Sequence, residues 1–157
     1  MHVHVYFQRE GFSKSRPFFR RGLDWKNKIL IPLHEGGSHW TLVLVDPFIK
    51  EIIYFDSFHS NGTYVMESVL HFIQEEHQNA KLPFDISAWK LKSRKDIPKQ
   101  TDDFSCGLMM IMTAECIGLE KPILYSQDDA ALVRQKIQYL LIAESVEDPY
   151  IYQINQN

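Results

Sequence analysis

The chain has few cysteines and lacks the spacing of a structural metal site. Its 157 residues include only two cysteines, Cys106 and Cys116, and these and the seven histidines form no C-x-x-C or H-x-x-x-H pair. If both cysteines lie on one helix, their separation of ten positions (116 − 106) amounts to roughly 15 Å. A disulfide needs Cα atoms within about 7 Å. We therefore expect two free thiols, no zinc or other cofactor, and a reducing compartment, the nucleus or the cytoplasm.

The sequence also lacks long apolar runs and any excess of positive charge. No apolar run approaches the roughly 20 residues that cross a bilayer, and the first residues do not resemble a signal peptide. The net charge of −3 differs from the basic balance of a nucleic-acid binder. We expect no membrane and no nucleic acid among its partners, and by default a monomer. A hydrophobic content of 45% in 157 residues instead predicts one globular domain with a single core.

Apolar blocks separated by turn residues predict an α+β domain. Strands are predicted at 29–33, 40–45, 51–55 and around Trp89 and Leu91. The block 40–45 is continuously apolar and rich in β-branched residues, which is typical of a strand covered on both faces. Pro32 places the first strand at a sheet edge.

Three helices are predicted from the apolar periodicity, at 63–78, 108–117 and 128–144. The first carries one apolar stripe, made of Met66, Val69, Leu70 and Ile73. The second is apolar on nearly every side, which indicates a buried central helix, and we expect Gly118 to end it. The third places one apolar face inward, made of Val133, Ile137, Leu140 and Leu141. The tail after Asp148 is predicted to be frayed.

Cys106 is the candidate nucleophile, because it stands between a polar loop and the start of the buried helix. The helix dipole places partial positive charge there and favours a thiolate. Gly107 would let a substrate carbonyl approach the backbone closely. Cys116 has no such surroundings and is expected in the core.

His39 and Asp56 are the candidate base and its orienting acid. His39 begins the strand 40–45, and Asp56 follows the strand 51–55. In an antiparallel hairpin the start of one strand lies beside the end of the other, so the two side chains should meet. A carboxylate on the far imidazole nitrogen fixes the tautomer and orientation of the base. Asp46 is the competing carboxylate, but it belongs to the turn at the opposite end of the hairpin.

The order of these residues, with His before Asp and Cys, excludes the papain order, in which the Cys comes first. From about residue 29 to 144 the chain resembles the SUMO/sentrin-specific cysteine proteases (Ulp/SENP type, peptidase family C48, adenain-like clan). The similar segments are Ile-Leu-Ile-Pro-Leu-His at 29–34 before His-Trp at 39–40, Ile-Ile-Tyr-Phe-Asp-Ser at 52–57, Trp-Lys-Leu at 89–91, Ile-Pro-Lys-Gln at 97–100 and Cys-Gly at 106–107. The stretch from Pro122 to Gln127 also resembles the last connection of the family.

The resemblance implies a papain-like α+β fold, in which a central helix carrying the Cys packs on a mixed or antiparallel sheet carrying His and Asp. It implies a single catalytic domain over residues 1–157. The reaction is cleavage after the C-terminal Gly-Gly of SUMO or a related ubiquitin-like modifier, with SUMO and its conjugates as partners. The implied roles are nucleophile for Cys106, general base and acid for His39, orienter for Asp56, and oxyanion donor for Gln100. Trp40 would line a narrow tunnel for the Gly-Gly tail, with His34 nearby.

Three departures from the family pattern leave two other functions open. The family reads Gln-x-Asn-x-x-Asp-Cys-Gly, whereas this chain has Asp102 and Ser105 at the Asn and Asp positions. The family domain carries a further segment ahead of the position matching Val5, so its N-terminal part is expected to be missing from these residues. Gly36 and Gly37 lengthen the loop before His39. The alternatives are a catalytically weak modifier-binding domain and a clan-related acyltransferase.

Overall fold

A computed structural model describes residues 27–142 of the chain. Its elements are β1 (Ile29–Glu35), β2 (His39–Asp46), β3 (Glu51–Phe55), α1 (Thr63–Asn79), a 3₁₀ turn (Ile86–Ala88), β4 (Lys90–Arg94), α2 (Cys106–Gly118) and α3 (Asp129–Ile142). The predicted helix end at Glu144, the tail after Asp148 and the boundaries of the predicted domain at 1 and 157 lie outside the described residues. Within the described part, no helix has the length and apolar character needed to cross a membrane.

The strands form one mixed sheet in the order β1-β2-β3-β4. The first three strands are antiparallel, and β4 runs parallel to β3. Pro32 lies in β1 at the edge of the sheet, where its missing N–H is tolerated. The predicted α+β class is therefore confirmed.

The two central strands are covered on both faces. On one face the core is formed with α1 and contains Val43, Ile52 and Tyr54, and on the other Leu42 and Phe55 pack beneath α2. The predicted stripe of α1 (Met66, Val69, Leu70 and Ile73) is buried in the first core. Neighbouring residues of a strand face opposite sides of the sheet. With both faces covered, β2 from Thr41 onward and all of β3 are therefore buried. This explains the continuous apolar runs in the sequence.

Helix α2 lies between the sheet and α3. Its residues Met110, Ala114 and Ile117 pack towards the sheet, whereas Met112 and Cys116 pack against α3. The prediction of a central helix is confirmed. The prediction that the helix ends at Gly118 is also confirmed, because Gly118 is its last residue. The left-handed residue is Glu120 (φ +55°), and the N–H of Lys121 closes the end on the carbonyl of Cys116 at 2.8 Å.

The prediction that Leu141 faces the core is wrong, because its side chain is 73% exposed. Val133 is buried and Ile137 packs against the α2–α3 core. Ile137 already lines the same cavity as Cys106, the first residue of α2. In the last turn of α3, Tyr139, Leu141 and Ile142 are all exposed, so this end of the helix does not contribute to the α2–α3 core. The side chain of Leu140 lies outside what the structure describes.

Candidate active site

His39 and Asp56 meet at the end of the β2–β3 hairpin. β2 begins at His39 and pairs antiparallel with β3, which ends at Phe55. His39 Nε2 lies 2.6 Å from Asp56 Oδ1. Asp46 lies at the opposite end of the hairpin, where its carboxylate accepts a hydrogen bond from the N–H of Phe48 at 3.1 Å. The hairpin register thus selects which carboxylate reaches the imidazole.

The Asp56 carboxylate is 2% exposed and accepts four hydrogen bonds. Oδ1 accepts from His39 and from the N–H of Phe58 at 2.9 Å. Oδ2 accepts from the N–H of Ser60 at 3.0 Å and from the Ser60 hydroxyl. Burial raises the pKa of Asp56, but the hydrogen bonds from Ser60, Phe58 and His39 outweigh burial and hold that pKa below its ordinary value. Asp56 is therefore an anion at neutral pH and accepts a hydrogen bond when Nε2 carries the imidazole proton, in which case Nδ1 is the nitrogen able to accept a further proton.

Phe58 and Ser60 were not singled out from the sequence. The ring of Phe58 stacks on the imidazole of His39 with centroids 4.7 Å apart. Ser60 connects Asp56 to a deeper network, because its Oγ lies 3.2 Å from the hydroxyl of Tyr54. Tyr54 in turn donates to Glu35 at 2.7 Å. Turn residues after a strand carry no periodic signal, so only their position directly after Asp56 could have indicated them.

Cys106 is the first residue of α2 and is 6% exposed. Ser105 precedes the helix, and its side chain makes no capping hydrogen bond to the first turn. The N–H groups at the start of an α-helix have no partner within the helix, so they are available to a negatively charged oxygen beside Cys106. Both Cys106 and Cys116 are free thiols.

Trp40 brings the two halves of the site together. A Cβ built on Gly107 would lie 3.3 Å from Cδ1 of the indole, so a glycine allows this ring to rest on the first turn of α2. Trp40 follows His39 and Gly107 follows Cys106, so this contact brings the start of β2 close to the start of α2. The ring of His34 stacks on the indole of Trp40, with the two ring centroids 4.5 Å apart.

A cavity of about 550 Å³ lies beside the thiol. Its lining includes Trp40 and Cys106 together with Phe104, Ile111 and Arg134. The guanidinium of Arg134 lies 6.0 Å from the centre of the Phe104 ring. The cavity therefore combines apolar side chains with one cation, Arg134, and one anion, Asp103.

Gln100 is 3% exposed and joins the Cys106 loop to the residue after Asp56. Its N–H donates to the carbonyl of Ser57 at 2.9 Å, and its Oε1 accepts from the Ser57 hydroxyl at 2.8 Å. Its Nε2 donates to the Asp102 carbonyl at 2.6 Å and lies 3.1 Å from Asp102 Oδ1. In this structure the amide expected to serve as oxyanion donor is engaged by Asp102.

The described residues contain no group of three or more His, Cys, Asp or Glu side chains arranged to hold a metal ion. What the site offers is a thiol at a helix start with a cavity beside it, and an imidazole held by a buried carboxylate. These are the groups needed for acyl transfer through a thioester.

Comparison with known proteins gives a family for this arrangement. Sentrin-specific protease 5 of Homo sapiens is 30% identical over 112 residues, which cover 71% of this chain and 15% of that protein. Sentrin-specific protease 2 of Homo sapiens is 29% identical over 121 residues, which cover 75% of this chain and 20% of that protein. The chain thus spans about a fifth or less of the length of these relatives.

Among solved structures, the C-terminal Ulp1 protease domain in complex with Smt3, the yeast ortholog of SUMO, superposes with a TM-score of 0.72 at 22% identity. The match covers 92% of this chain and 70% of that one, and it shows a shared fold. The family described as the Ulp1 protease family, C-terminal catalytic domain, matches residues 7–147. The chain belongs to the Ulp1 protease family and corresponds to its C-terminal catalytic domain.

Proposed function

We propose that this domain is a cysteine peptidase that cleaves the peptide or isopeptide bond after the C-terminal Gly-Gly of SUMO or a related ubiquitin-like modifier. The observation that carries the proposal is the His39–Asp56 hydrogen bond of 2.6 Å in a domain where Trp40, the residue after His39, rests on Gly107, the residue after Cys106. Membership of the Ulp1 protease family supports the same chemistry.

In the proposed reaction, Nδ1 of His39 takes the thiol proton of Cys106, and the sulfur attacks the carbonyl carbon of the last glycine. The C–N bond breaks as the imidazolium protonates the departing amine, which leaves a thioester on Cys106. A water molecule, deprotonated by His39, attacks the thioester carbonyl. The C–S bond then breaks, the imidazolium returns its proton to the sulfur of Cys106, and the modifier leaves with a free carboxylate. Asp56 stays ionised throughout and stabilises the imidazolium.

Hydrogen bonds to the tetrahedral oxygen come from the first-turn N–H groups of α2 and from the Gln100 amide, in the proposed mechanism. Gln100 lies in the loop before Cys106, and its Nε2 is bound to Asp102 in this structure. An N–H of this amide would turn towards the oxyanion as the substrate binds. Removing one such donor from an oxyanion hole costs about 10²–10³ in kcat in other enzymes.

The substrate class is proposed from the narrow approach to the thiol and from the relatives. The indole of Trp40 lies on Gly107, beside Cys106, so an acyl chain reaching the sulfur must pass close to this ring. Glycines lack a side chain that would collide with it. The related Ulp1 domain was solved in complex with a SUMO ortholog. We extend this partner to the present chain, as a monomer in the nucleus or cytoplasm, where the two free thiols would stay reduced.

Labelling with a panel of modifiers tests the proposal. SUMO paralogues, ubiquitin and other Gly-Gly-ending relatives carry a thiol-reactive group at the C-terminus, and Cys106→Ser is the control. We expect a covalent adduct with a SUMO-type modifier that is absent in the variant, and hydrolysis of the matching fluorogenic substrate that Cys106→Ala abolishes. Adducts that persist in Cys106→Ser, or hydrolysis that survives Cys106→Ala, contradict the assignment of the nucleophile.

A second function, a modifier-binding domain with little turnover, is favoured by the engagement of Gln100 with Asp102. In this function the site holds the Gly-Gly tail but lacks a free oxyanion donor. Tight binding of unmodified SUMO together with no adduct from the SUMO warhead distinguishes it from the peptidase.

A further inference from the structure

We propose that Asp102 is a positioning residue, whose carboxylate holds the loop between Gln100 and Cys106 in the geometry that the reaction needs. This inference rests on the proposed function, since it concerns the same site. Asp102 itself does not line the cavity beside the thiol, so its influence passes through the residues that it binds.

The Asp102 carboxylate is the acceptor for five hydrogen bonds within a short stretch of chain. Oδ1 accepts from Gln100 Nε2 at 3.1 Å and from the N–H groups of Phe104 at 3.0 Å and Ser105 at 2.8 Å. Oδ2 accepts from the Ser105 hydroxyl at 2.6 Å and from Gln127 Nε2 at 2.8 Å. The hydrogen bond from Ser105 lowers the pKa of Asp102 below its ordinary value, so the side chain is an anion at neutral pH. Hydrogen bonds to an anion are shorter and stronger than neutral ones.

These bonds connect the loop to both sides of the domain. On the sheet side, Gln100 is bound to Ser57, the residue after Asp56. On the side of α3, Gln127 donates to Asp102 and its Oε1 accepts from the N–H of Thr101 at 3.2 Å. Through these hydrogen bonds Asp102 joins three parts of the domain: the residue after Asp56, the loop before Cys106 and the connection before α3.

Asp102 also decides what caps α2. The hydroxyl of Ser105, the residue before Cys106, donates to Asp102 and makes no bond to the first turn of the helix. The N–H groups around Cys106 are thus left without a side-chain cap, as an oxyanion site requires. Loss of the carboxylate would free Ser105 to turn towards these groups. It would also remove one of the two acceptors of Gln100 Nε2, whose shorter hydrogen bond goes to the backbone carbonyl of Asp102 and would remain.

The Asp102–Ser105 pair is a reversed form of the Asn and Asp that the family pattern carries at these positions. In this chain the carboxylate is on residue 102 and the hydroxyl donor is on residue 105. The pair exchange Asp102→Asn with Ser105→Asp restores one donor and one carboxylate in the opposite order. The amide introduced at 102 keeps an oxygen for the Phe104 and Ser105 N–H groups and can donate to the carboxylate introduced at 105.

The chain offers a matched control at the other end of the sheet. Asp85 accepts hydrogen bonds from the N–H and the hydroxyl of Ser87 at 3.0 and 2.6 Å. It precedes β4, whose first residue pairs with Glu51, whereas Asp56 follows the far end of β3. Asp85→Ala thus removes a similar exposed Asp–Ser arrangement away from the site.

The test compares steady-state hydrolysis of a SUMO C-terminal fluorogenic substrate by the full chain, Asp102→Ala, Asp102→Asn, the pair exchange and Asp85→Ala. We expect Asp102→Ala to lower kcat about 10- to 100-fold, the size of effect that a misplaced catalytic group can cause, with KM changed less than about threefold. The kcat of Asp102→Asn should lie between those of the wild type and Asp102→Ala, and the pair exchange should recover most of the lost kcat. A kcat of Asp102→Ala within about twofold of Asp85→Ala, or a pair exchange no faster than Asp102→Asn, overturns the inference.

Amide hydrogen exchange supplies a readout that needs no substrate. Asp102→Ala should speed exchange of the Phe104 and Ser105 amides by about tenfold or more, because each loses a charged acceptor. Asp85→Ala should speed exchange at Ser87 and leave residues 104 and 105 unchanged. A wild-type chain with no activity on any modifier would argue against the proposed function, whereas unchanged exchange at 104 and 105 in Asp102→Ala would argue against the role of Asp102.

Discussion

Gly62→Ala tests whether the turn after Asp56 is as tightly packed as the structure shows. Gly62 precedes α1 with φ +57°, in the left-handed region that disfavours a side chain. A Cβ at this position would lie 2.3 Å from a carbon of the Tyr54 ring. Ordinary carbon contacts are about 3.5–4.0 Å. Tyr54 is almost fully buried in the core, so either the ring or the start of α1 has to move.

The expected loss of stability has two parts. The left-handed backbone costs about 1–2 kcal/mol for a residue with a Cβ, and the reduced freedom of the unfolded chain returns about 0.4–1 kcal/mol. Forcing an extra carbon into a packed core costs a further 1–3 kcal/mol or so. We therefore expect Gly62→Ala to lower the free energy of unfolding by about 1–4.5 kcal/mol.

Gly36→Ala separates these two parts. Gly36 has φ +58°, but nothing lies within 4 Å of a Cβ built on it. It should lose only the backbone part, about 1 kcal/mol or less. Urea denaturation at equilibrium, monitored by tryptophan fluorescence, measures both variants. Equal losses in the two variants, within about 0.5 kcal/mol, would contradict the contact between position 62 and Tyr54.

Two further changes test the site itself. Because the pKa of Asp56 is held below its ordinary value, its contribution to stability is present above about pH 4 and is lost as the pH falls through the lowered pKa. The difference in unfolding free energy between the wild type and Asp56→Asn, from urea titrations at several pH values, should therefore shrink below about pH 4; a difference independent of pH contradicts this. Gly107→Ala should push the Trp40 ring by a few tenths of an ångström, since the new Cβ would start 3.3 Å from it. We expect a stability loss below about 1.5 kcal/mol with a clear drop in kcat/KM on the SUMO substrate. Unchanged kinetics would show that Trp40 does not shape the approach to Cys106.

Much of this molecule could be predicted from local patterns in the sequence. The strand at Glu51–Phe55 has the predicted bounds, and α1 extends one residue past the predicted end. These elements were predictable because apolar spacing reports directly on which face is buried. The meeting of His39 with Asp56 was also predictable, since the register of a hairpin is fixed by its connecting turn. The turn here joins Asp46 to Glu51 and so brings the start of β2 beside the end of β3.

Other features depend on contacts between residues far apart in the chain. The exposure of Leu141 depends on how far along α3 the packing against α2 extends, which the period of α3 alone does not contain. Phe58 and Ser60 were not singled out because their partners, His39 and Tyr54, are set by the sheet rather than by neighbouring positions.

The sequence alone determined the fold class, the element order, and the thiol, imidazole and carboxylate of the candidate site. These follow from residue type and periodicity, which act over a few positions. Only the tertiary structure decided what surrounds them. In the folded domain Trp40 rests on Gly107, and the Gln100 amide donates to the Asp102 carbonyl. The Ser105 hydroxyl donates to the Asp102 carboxylate and does not cap the helix. Which acceptor a hydrogen-bond donor reaches depends on distance and direction. These distances and directions exist only once the sheet, α2 and the loop before α3 have packed together.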